Sequence, residues 1–594
     1  MDKLTREISE RKLPLPVGKS DWEEVAGRCY CVDMTLFIRD LLESSTSVAL
    51  FTRPRRFGKT TAMQMLKCFF EKRGEDEPDV RHLFESRAIA HCERADEWMA
   101  RQGKSPVIYL TFKDHKARTW EAAVERLVLD IGSEFRRHAE CIKSLPSDKE
   151  REHFTDICEE RGSLALLGTS LGLLAKALHL HYGEKPYVLI DEYDSPINSA
   201  SANGYYDEMV AFMREFLPGA MKDNNHVEMG VMTGVLRVAK EGILSGLNNL
   251  EVYTVFDEPF SEYFGFTEAE VEEMARYYGR EDKIPEIKSW YDGYDFGGRE
   301  MYNPWSVLYY FKANCKPQPY WLDTSSNDLI NELVENLPFD MVETLESVLK
   351  KEKGGDNPVV PMATELGPYQ SICERPETLY ALLVSTGYLK PTGGIIGGNC
   401  EVAIPNREIE QVFKADILSK LRKESGQSRA LRAVEVAFFR HDPNAFKEHV
   451  EQFLLESASY FDTTAESFYH GLVLGMLSFM RDFYVIASNR ESGYGRFDIM
   501  LKPRPEHREF PAVIIEVKAA KGEADDLDAL AAAARRQIDE KNYAASFEAE
   551  GITDIMKFGY AFFGKRSAIC RVAEDSRKPT DFTAVRNGDT EATT

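Results

Sequence analysis

A lysine between a glycine and a threonine, Gly58-Lys59-Thr60, lies where an apolar run ends and a helical pattern begins. The apolar run covers residues 47–51, and the helical pattern continues through residues 65–70. Backbone N–H groups at the N-terminus of a helix point towards a bound phosphate, a lysine adds positive charge and a threonine hydroxyl can ligate Mg²⁺. The stretch therefore predicts a phosphate-binding loop of the Walker A type.

The position at which this motif usually begins with glycine holds Arg53. An arginine there must accept a backbone shape that glycine adopts freely, so a plain basic loop before a helix is the alternative. Arg55 and Arg56 could contact nucleotide phosphates, a neighbouring subunit or DNA, and their spacing does not choose among these. The predicted nucleotide-binding residues are Arg53, Pro54, Arg55, Arg56, Phe57, Gly58, Lys59, Thr60, Thr61, Asp191 and Arg237.

A second motif follows about 130 residues later, where the apolar run 187–190 leads directly into Asp191 and Glu192. In a buried parallel sheet, Asp191 would emerge at the carboxyl end of a strand to hold Mg²⁺ together with Thr60. Glu192 would polarise the attacking water. A strand followed by an acidic turn is the alternative for this motif alone. The two motifs in this order predict an ATPase or a nucleotide-dependent switch, with ATP and Mg²⁺ as cofactors.

Residues 231–233 are strand-like and predict a third strand of the same sheet. This strand would bring Thr233 near the γ-phosphate as a sensor, with Arg237 and Lys240 following it. Arg237 is predicted to be a sensor or an arginine finger, and an ordinary surface charge is the alternative.

Two strand-like segments near the C-terminus, residues 496–502 and 512–518, predict a hairpin that brings two acids and a lysine together. If the hairpin is symmetric about His507, the numbers of two paired residues sum to 1014. Since 498 + 516 = 1014, Asp498 should lie opposite Glu516. Lys518 should share the face of Glu516, because side chains alternate along a strand.

Two carboxylates and an ammonium group suit metal-assisted cleavage of a phosphodiester, with the acids holding Mg²⁺ or Mn²⁺ and the lysine activating water. A salt-bridged strand pair is the alternative. An apolar helix that starts at Glu466 could supply a third acid, and a helix over 525–545 places Gln537 and Lys541 on one face, where either could contact the scissile phosphate. A structural helix with exposed polar residues is the alternative there. The predicted catalytic residues are Glu192, Glu466, Asp498, Glu516, Lys518 and Gln537, and the predicted metal ligands are Thr60, Asp191, Glu466, Asp498 and Glu516.

The run 53–60 (RPRRFGKT), the segment 189–197 (LIDEYDSPI) and the segment 233–240 (TGVLRVAK) resemble the AAA-ATPase-like family of P-loop proteins. That family commonly carries a C-terminal PD-(D/E)xK nuclease-like domain. The spacing of Asp498, Glu516 and Lys518 matches the motif of such a domain. Its P-loop has arginine at the position of Arg53, so the departure noted above fits the family. The resemblance covers most of residues 13–325.

The predicted fold class is α/β, with a parallel P-loop sheet, a helical and winged-helix-like middle region, and a C-terminal restriction-endonuclease-like domain. A helix near residues 378–389, a strand near 401–404 and another helix predict the winged-helix-like part. No dense Lys/Arg face accompanies it, so packing or domain coupling is favoured over DNA reading. The predicted domains are residues 1–285 (ATPase), 286–350 (helical lid or connector), 351–430 (winged-helix-like), 431–570 (nuclease-like) and 571–594 (flexible tail).

Composition limits the partners of this chain. Its 594 residues carry 74 Lys and Arg against 98 Asp and Glu, a formal net charge of −24, so loose charge-driven binding of nucleic acid is unfavourable. None of the ten cysteines has zinc-site spacing, which favours reduced thiols and a cytoplasmic location. The apolar stretch 164–182 contains charged and polar residues and predicts a buried helix, so no membrane partner is expected.

These features predict an ATP-binding and ATP-hydrolysing protein that controls a fused Mg²⁺-dependent nuclease. Nucleic acid is the expected partner, with DNA favoured over RNA, and the arginines near the P-loop suggest a homo-oligomer. Defence against foreign or mobile DNA is an extension by analogy. The alternative is a regulatory ATPase switch whose C-terminal domain binds nucleic acid or protein without cutting it.

Overall fold

The computed structural model describes residues 12–74, 76–237, 247, 249–321, 357–364, 375–413, 442–457, 466–477, 480–481, 483–488, 491–492, 495–508, 510–522 and 525–571. The chain forms two compact units: unit 1 contains residues 1–337 and 343–418, and unit 2 contains residues 338–342 and 419–594. Lys240, the predicted helical stretch 327–350, most of the turn-rich boundary near 350–361 and nearly all of the predicted tail lie outside the described residues.

Unit 1 is built on a parallel five-stranded sheet. Its strands are β1 (Val48–Thr52), β2 (Val107–Thr111), β3 (Tyr187–Asp191), β4 (Met229–Gly234) and β5 (Leu250–Tyr253), in the order β2-β3-β4-β1-β5. Helices cover both faces of such a sheet, so its central strands are apolar throughout, and β1, β3 and β4 are buried at every residue. Because all five strands run the same way, the predicted motifs that follow β1, β3 and β4 meet at one edge.

Within the described residues before residue 313, the helices of unit 1 are α1 (Trp22–Arg28), α2 (Leu36–Glu43), α3 (Lys59–Phe70), α4 (His82–Glu85), α5 (Ala95–Met99), α6 (Trp120–Arg137), α7 (Asp148–Cys158), α8 (Leu164–Tyr182), α9 (Ser195–Asn203), α10 (Tyr206–Met221), α11 (Glu268–Tyr278), α12 (Ile284–Tyr291) and α13 (Pro304–Lys312). The helices up to α10 pack apolar residues into two cores with the strands of the sheet, whereas α11 to α13 contribute to a separate apolar core.

Helix α8 is, among the described residues, the one helix long and apolar enough by length and composition to cross a membrane. Its Leu171, Leu174 and Leu178 are buried in the main core of unit 1. The helix also approaches α10 closely, since a Cβ atom on Gly172 would lie 2.6 Å from the carbonyl oxygen of Gly219. The prediction that this stretch forms a buried helix is confirmed.

The rest of unit 1 adds a hairpin, β6 (Tyr294–Phe296) with β7 (Arg299–Met301), and a small sheet of order β8-β10-β9. The small sheet consists of β8 (Val359–Pro361), β9 (Lys390–Pro391) and β10 (Asn399–Ala403), and helices α14 (Pro376–Thr386) and α15 (Arg407–Phe413) flank it. The predicted order of helix, turn, strand and helix is therefore present. The predicted boundary after residue 285 falls inside α12, and the finer division of the chain into domains remains a prediction.

Unit 2 contains a five-stranded mixed sheet of order β11-β14-β15-β16-β17. Its strands are β11 (Tyr484–Ser488), β14 (Ile499–Pro503), β15 (Ala512–Ala519), β16 (Ile555–Phe563) and β17 (Arg566–Cys570), with a small hairpin of β12 (Glu491–Ser492) and β13 (Gly495–Arg496). The helices are α16 (Pro443–Ser457), α17 (Glu466–Met476), α18 (Leu527–Glu540) and α19 (Ala545–Ala549). Helix α18 connects β15 to the parallel β16, as a crossover must. The predicted α/β fold class is confirmed.

The hairpin of β14 and β15 has the predicted register. Ile499 pairs with Ile515, Met500 with Ile514, and Leu501 with Val513, so each pair sums to 1014. Both strands are buried along most of their length, on both faces.

Candidate functional site

The loop between β1 and α3 has the form of a phosphate cradle. Gly58 has a φ of +82° and caps the N-terminus of α3, a conformation that favours glycine. Lys59 is 5% exposed and its Nζ donates to the carbonyl oxygens of Arg53 and Pro54, at 2.9 Å each. Burial lowers the Lys59 pKa. The ammonium is bound only by neutral carbonyl groups, so a phosphate would give it a better partner.

Thr60, Asp191 and Thr233 form a chain of hydrogen bonds at the carboxyl edge of the sheet. Thr60 Oγ1 donates to Asp191 Oδ2 at 2.8 Å, and Thr233 Oγ1 donates to Asp191 Oδ1 at 2.6 Å. Hydroxyl and carboxylate oxygens are the donors that Mg²⁺ prefers, so the residues present fit this ion, with Thr60 and Asp191 as its holders. Thr233 lies where its predicted sensor role requires, although the role itself remains a prediction.

Glu192 follows Asp191 with a φ of +55°, which is unusual for a residue with a side chain. Its carboxylate borders the cleft beside the P-loop, and its Oε2 accepts a hydrogen bond from Ser195 Oγ at 3.2 Å. Burial raises the Glu192 pKa, and the charge of Lys59 opposes that shift. A carboxylate with a raised pKa facing a phosphate site suits the polarisation of water, so the geometry supports the predicted role.

The cleft in front of these residues has a volume of about 280 Å³. Its walls are Pro16, Gly18, Lys19, Ser20, Arg55, Arg56, Gly58, Lys59, Thr60, Thr61, Lys113, Asp114, Lys116, Glu192, Ser195, Pro304, Trp305 and Leu308. The prediction from sequence missed the loop after β2, which supplies Lys113, Asp114 and Lys116. The signal was present, because these residues follow a strand of a parallel sheet at the edge where such sheets bind ligands.

Five predicted nucleotide-binding residues are not in the wall of this cleft: Asp191, which lies behind Thr60, Arg237, and the three loop residues Arg53, Pro54 and Phe57. Arg53 is fully buried over the rings of Phe264 and Phe296, and its Nη1 donates to the carbonyl oxygens of Thr52 and Tyr253. Burial lowers the Arg53 pKa to about 10. Phe57 packs against Tyr294 and Phe296, and Pro54 contributes its carbonyl oxygen to Lys59. The prediction is therefore corrected for these three loop residues, whose side chains support the loop from behind.

Arg237 is also corrected. It lines a second cavity, of about 220 Å³, together with Thr254 and Asp257, instead of the phosphate cleft. Asp194 holds the chain after β4, because its Oδ2 accepts from the N–H groups of Val235 and Leu236. Arg237 then lies on the side of β5, and the structure does not bring it to Thr60 and Asp191.

Arg55 and Arg56 do line the cleft. Arg56 has a φ of +71°, and its guanidinium lies 3.9 Å from the ring centroid of Trp305, a cation–π contact. Burial lowers the Arg56 pKa. Both arginines border the cleft, and their contact with a nucleotide remains a prediction.

In unit 2, Glu516 lies in β15 and is 1% exposed. Its Oε1 accepts from Lys518 Nζ at 2.9 Å and from Gln537 Nε2, whereas its buried Oε2 has no hydrogen-bond partner among the described residues. Burial raises the Glu516 pKa, and the charge of Asp498 adds to the shift. A buried carboxylate oxygen without a partner is costly unless something absent from the protein alone, such as a cation, satisfies it.

Asp498 and Glu466 face the same strand from two other elements. Asp498 Oδ2 accepts from the N–H group of Val517 at 2.8 Å, and Glu466 Oε2, at the start of α17, accepts from the N–H group of Ala519 at 3.3 Å. Glu466 Oε1 is 3.8 Å from Lys518 Nζ. The structure thus brings the three predicted acids and the lysine together.

Lys518 is the counter-charge of this carboxylate cluster, which we define as Glu466, Asp498, Glu516 and Lys518. Burial alone would lower the Lys518 pKa, but the hydrogen bond and charge of Glu516 outweigh it and the pKa is raised. Among the described residues, no three His, Cys, Asp or Glu side chains already converge as the ligands of one metal ion. The donor set still fits Mg²⁺ or Mn²⁺, because carboxylate oxygens suit hard cations and Glu516 Oε2 has no partner.

Gln537 contacts the carboxylate cluster from helix α18. Gln537 on α18 was predicted to contact the scissile phosphate, but its Nε2 donates to Glu516 and, at 3.2 Å, to Tyr543 OH. In this structure its role is to hold Glu516.

The sequence prediction missed His470, whose Nε2 is 3.1 Å from both the carbonyl oxygen of Asp498 and Ser488 Oγ. Its spacing of one helical turn from Glu466 was the available signal.

Two stretches of the chain match known protein families. Residues 16–244 match a family described as predicted AAA-ATPase, and residues 464–572 match the PD-(D/E)XK nuclease superfamily. A curated relative, named "Uncharacterized protein in vnfD 5'region" from Azotobacter chroococcum mcd 1, is 29% identical over 363 residues, which cover 59% of this chain and 62% of that protein. The match thus spans less than two thirds of the relative's length.

Among solved structures, the chain is similar to the ORC2 protein of Aeropyrum pernix in its ADPNP-ADP complexes. The match has 13% sequence identity and covers 69% of this chain and 97% of that chain, with a TM-score of 0.24, which is too low to indicate a common fold. The family matches stand on their own. The chain therefore joins a domain of the predicted AAA-ATPase family, at residues 16–244, to a domain of the PD-(D/E)XK nuclease superfamily, at residues 464–572.

Proposed function

We propose that this protein binds and hydrolyses ATP with Mg²⁺ in the cleft of unit 1, and that the nucleotide controls Mg²⁺-dependent cleavage of DNA at the carboxylate cluster of unit 2. The observation that carries the ATPase half is the contact of Thr60 with Asp191 beside Lys59. The observation that carries the nuclease half is Glu516, with one oxygen bound to Lys518 and the other buried without a partner.

A nucleotide suits the cleft better than free phosphate, because an apolar hollow adjoins the P-loop. This hollow shares Gly58, Thr61 and Leu308 with the cleft, and side chains such as Tyr30, Phe57 and Phe266 line the rest of it. Clefts that combine apolar walls with a few placed polar groups are typical of cofactor sites. Phosphates at the N-terminus of α3 would leave the base and ribose next to this hollow.

The chemistry at the phosphates needs little beyond position and charge. Lys59 would exchange its two carbonyl partners for phosphate oxygens. Thr60 and Asp191 would hold Mg²⁺, which neutralises charge on the phosphates when it is bound. Glu192 would accept a hydrogen bond from the attacking water, with Ser195 fixing its carboxylate.

At the carboxylate cluster, Glu466, Asp498 and Glu516 would hold the metal ion, which supplies Lewis-acid stabilisation of the phosphate when it is bound. Lys518 Nζ now binds Glu516. Once a metal cation binds that carboxylate, Nζ could turn towards an attacking water or a phosphate oxygen. Gln537 would keep Glu516 in place during that exchange.

A net charge of −24 opposes loose binding to nucleic acid, so substrate capture should depend on metal bound in the cluster. DNA is the favoured substrate, and a cytoplasmic location, a homo-oligomer and a role against foreign or mobile DNA are further hypotheses. A second candidate function is an ATPase switch that binds nucleic acid without cutting. It is favoured by the present arrangement, in which Lys518 bridges Glu516 and Glu466.

Two substitutions test the two halves, and each serves as the control for the other. Asp498→Asn should reduce Mg²⁺-dependent cleavage of supercoiled plasmid by about 1000-fold and leave ATP hydrolysis within about twofold, because it removes a metal ligand only from unit 2. Lys59→Ala should reduce ATP hydrolysis by about 100-fold or more without changing metal binding at the cluster. Cleavage would be measured with ATP, with ADP and without nucleotide, on plasmid, single-stranded DNA and RNA.

The outcomes separate the alternatives. Cleavage that survives Asp498→Asn would remove the nuclease assignment, and ATP hydrolysis that survives Lys59→Ala would remove the P-loop assignment. Cleavage at the same rate in all three nucleotide conditions would contradict nucleotide control. Binding of DNA by the wild type without any cleavage would establish the second candidate function.

A further inference from the structure

The phosphate cleft has a wall that the P-loop does not supply. Lys113 and Lys116 belong to the short loop that follows β2, and both line the cleft with exposed side chains. Strand β2 lies next to β3 on the side away from β1 and its P-loop. These two lysines therefore face the P-loop from across the cleft, beyond Asp191 and Glu192.

The loop is held in place at both ends. At its start, Phe112 is buried and its N–H group donates to the carbonyl oxygen of Asp191 at 2.9 Å. In its middle, His115 is 3% exposed, with its Nε2 2.6 Å from Asp130 Oδ2. At its end, the carbonyl oxygen of Ala117 accepts from Tyr205 OH at 2.7 Å.

These anchors decide where the lysines point. Phe112 and His115 turn inwards and meet edge to face, with ring centroids 5.1 Å apart. Lys113, Asp114 and Lys116 are exposed and form part of the cleft wall. The loop thus presents two ammonium groups and one carboxylate to the cleft from a fixed backbone.

The cationic side chains of the cleft differ in whether they already have a partner. Lys19 is paired with Glu24 at 2.5 Å, Lys59 is bound by carbonyl groups, Arg56 lies over Trp305, and Arg55 has contacts of its own. Within the described residues, the Nζ atoms of Lys113 and Lys116 have no hydrogen-bond or ion-pair partner. They are the cations of the cleft that remain available to an anion.

The position of the loop after β2 determines which phosphate of a bound nucleotide Lys113 and Lys116 would contact. Thr60 and Asp191 mark the metal site, and the helix N-terminus at Gly58 marks the inner phosphates. The loop after β2 lies one strand beyond Asp191, since Thr111 is level with Asp191 across the sheet. A triphosphate that extends from the P-loop past the metal site would bring its last phosphate, and not its first two, towards this loop.

We propose that Lys113 and Lys116 contact the γ-phosphate of the bound nucleotide, distinguish a triphosphate from a diphosphate and stabilise the charge that develops during hydrolysis. This inference rests on the proposed nucleotide-binding function. Cations in a fixed loop stabilise a phosphoryl group in transfer without a contribution from a second subunit. They would supply the positive charge that the sequence analysis assigned to Arg237 as a sensor or an arginine finger.

The test compares binding of a triphosphate and a diphosphate by the full chain. Calorimetric titration with AMP-PNP and with ADP, both with Mg²⁺, would be applied to the wild type and to the double variant Lys113→Ala/Lys116→Ala. We expect the Kd for AMP-PNP to rise about tenfold or more, which corresponds to about 1.4 kcal/mol, and the Kd for ADP to change less than about threefold. The kcat for ATP should fall by at least about tenfold.

Two further variants make the result specific. Lys104→Ala removes an exposed lysine just before β2, at the opposite end of the same strand, and should leave both dissociation constants unchanged. The double variant Lys113→Arg/Lys116→Arg keeps the charge and should retain the preference for AMP-PNP over ADP.

Each outcome has one meaning. A wild type that binds neither nucleotide would remove the proposed ATPase function and this inference with it. A wild type that binds both nucleotides, combined with a double alanine variant whose two dissociation constants are unchanged from the wild type or rise by the same factor, would overturn the role of the lysines and leave nucleotide binding in place.

Discussion

Lys59 in unit 1 and Lys518 in unit 2 are both placed next to acids that suit Mg²⁺, but they are bonded differently. Lys59 Nζ donates to two backbone carbonyl groups, and burial lowers its pKa. Lys518 Nζ donates to Glu516, and that bond more than offsets burial and raises its pKa. One lysine has neutral partners and the other already has an anion.

The difference indicates what each site needs. An ammonium bound by carbonyl groups can turn to an anionic ligand without leaving a buried charge behind, so the P-loop is ready for a phosphate. Lys518 cannot leave Glu516 at the same low cost, because that carboxylate is 1% exposed and one of its oxygens already lacks a partner. A cation must replace Lys518 there, which makes metal binding a precondition of chemistry at the cluster.

Replacing each lysine by methionine gives the strongest test of the difference between Lys59 and Lys518. Lys518→Met should lower the rate of plasmid cleavage by about 100- to 1000-fold, because it removes the cation that meets the reacting phosphate. It should also lower the free energy of unfolding by about 1–3 kcal/mol, since Glu516 loses its charged donor. The measurements are initial cleavage rates and urea unfolding of the protein without metal.

Lys59→Met is the matched control for stability. It removes bonds to carbonyl groups of a loop and should leave the unfolding midpoint without nucleotide nearly unchanged, while stabilisation by added ATP is lost. Equal destabilisation by the two substitutions would contradict the distinction drawn between the two lysines.

A smaller effect is expected at His470, which contacts the backbone of Asp498 and not the reacting groups. Groups that orient metal ligands from behind typically contribute 10- to 100-fold in metal affinity, so His470→Ala should weaken Mn²⁺ binding by about 10- to 100-fold. The measurement is Mn²⁺ titration followed by electron paramagnetic resonance, beside the concentration of Mg²⁺ that gives half-maximal cleavage.

His470→Gln can still donate to the carbonyl oxygen and should recover part of the loss, whereas Ser488→Ala should have a weaker effect than His470→Ala. Unchanged Mn²⁺ affinity in His470→Ala would show that the cluster holds its ligands without this histidine. A loss of kcat at saturating metal with no change in affinity would also contradict a positioning role.

Glu408 sharpens the comparison because it is a buried carboxylate without a lysine. Its Oε1 accepts from Ser306 Oγ at 2.9 Å and from the N–H group of Trp321 at 3.0 Å, and its Oε2 has no partner among the described residues. Burial raises the Glu408 pKa to about 7. Burial raises the pKa of both carboxyl groups, but at Glu516 the charge of Lys518 opposes the shift, whereas the donors to Glu408 are neutral.

The sign of the pH effect follows from this shift. The pKa of an unfolded glutamate is about 4.3, so the folded protein keeps the proton longer and loses stability as pH rises from about 4 to about 7. Glu408→Gln lacks this loss and should be more stable than the wild type by about 1–3 kcal/mol above pH 7, with little difference at pH 4. Thermal unfolding followed by circular dichroism across that range measures the effect, and parallel pH profiles would contradict it.

The sequence was sufficient to predict features that depend on local pattern. The P-loop, the Asp191 strand and the β14–β15 register all follow from apolar runs bounded by short polar motifs, and the structure has them as predicted. The register could be predicted because a hairpin that is symmetric about His507 allows only one pairing. Glu466 could be placed because it begins an apolar helix.

Features that depend on long-range packing could not be predicted in this way. Arg53 lies in a basic motif, yet Phe264 and Phe296, more than 200 residues later, form the pocket that draws it away from the cleft. Gln537 turns to Glu516 because α18 crosses over β15, which no spacing within the helix reveals. Lys113 and Lys116 gain importance only when the strand order places β2 beside β3.

The most direct test of the whole account is a Mg²⁺ titration of plasmid cleavage by the wild type and by Asp498→Asn, each with and without ATP. We predict cleavage by the wild type that requires Mg²⁺ and changes with ATP, and a rate about 1000-fold lower for Asp498→Asn at every Mg²⁺ concentration. Cleavage without any divalent ion, or cleavage of equal rate by the two proteins, would contradict a metal-dependent nuclease built on Asp498 and Glu516.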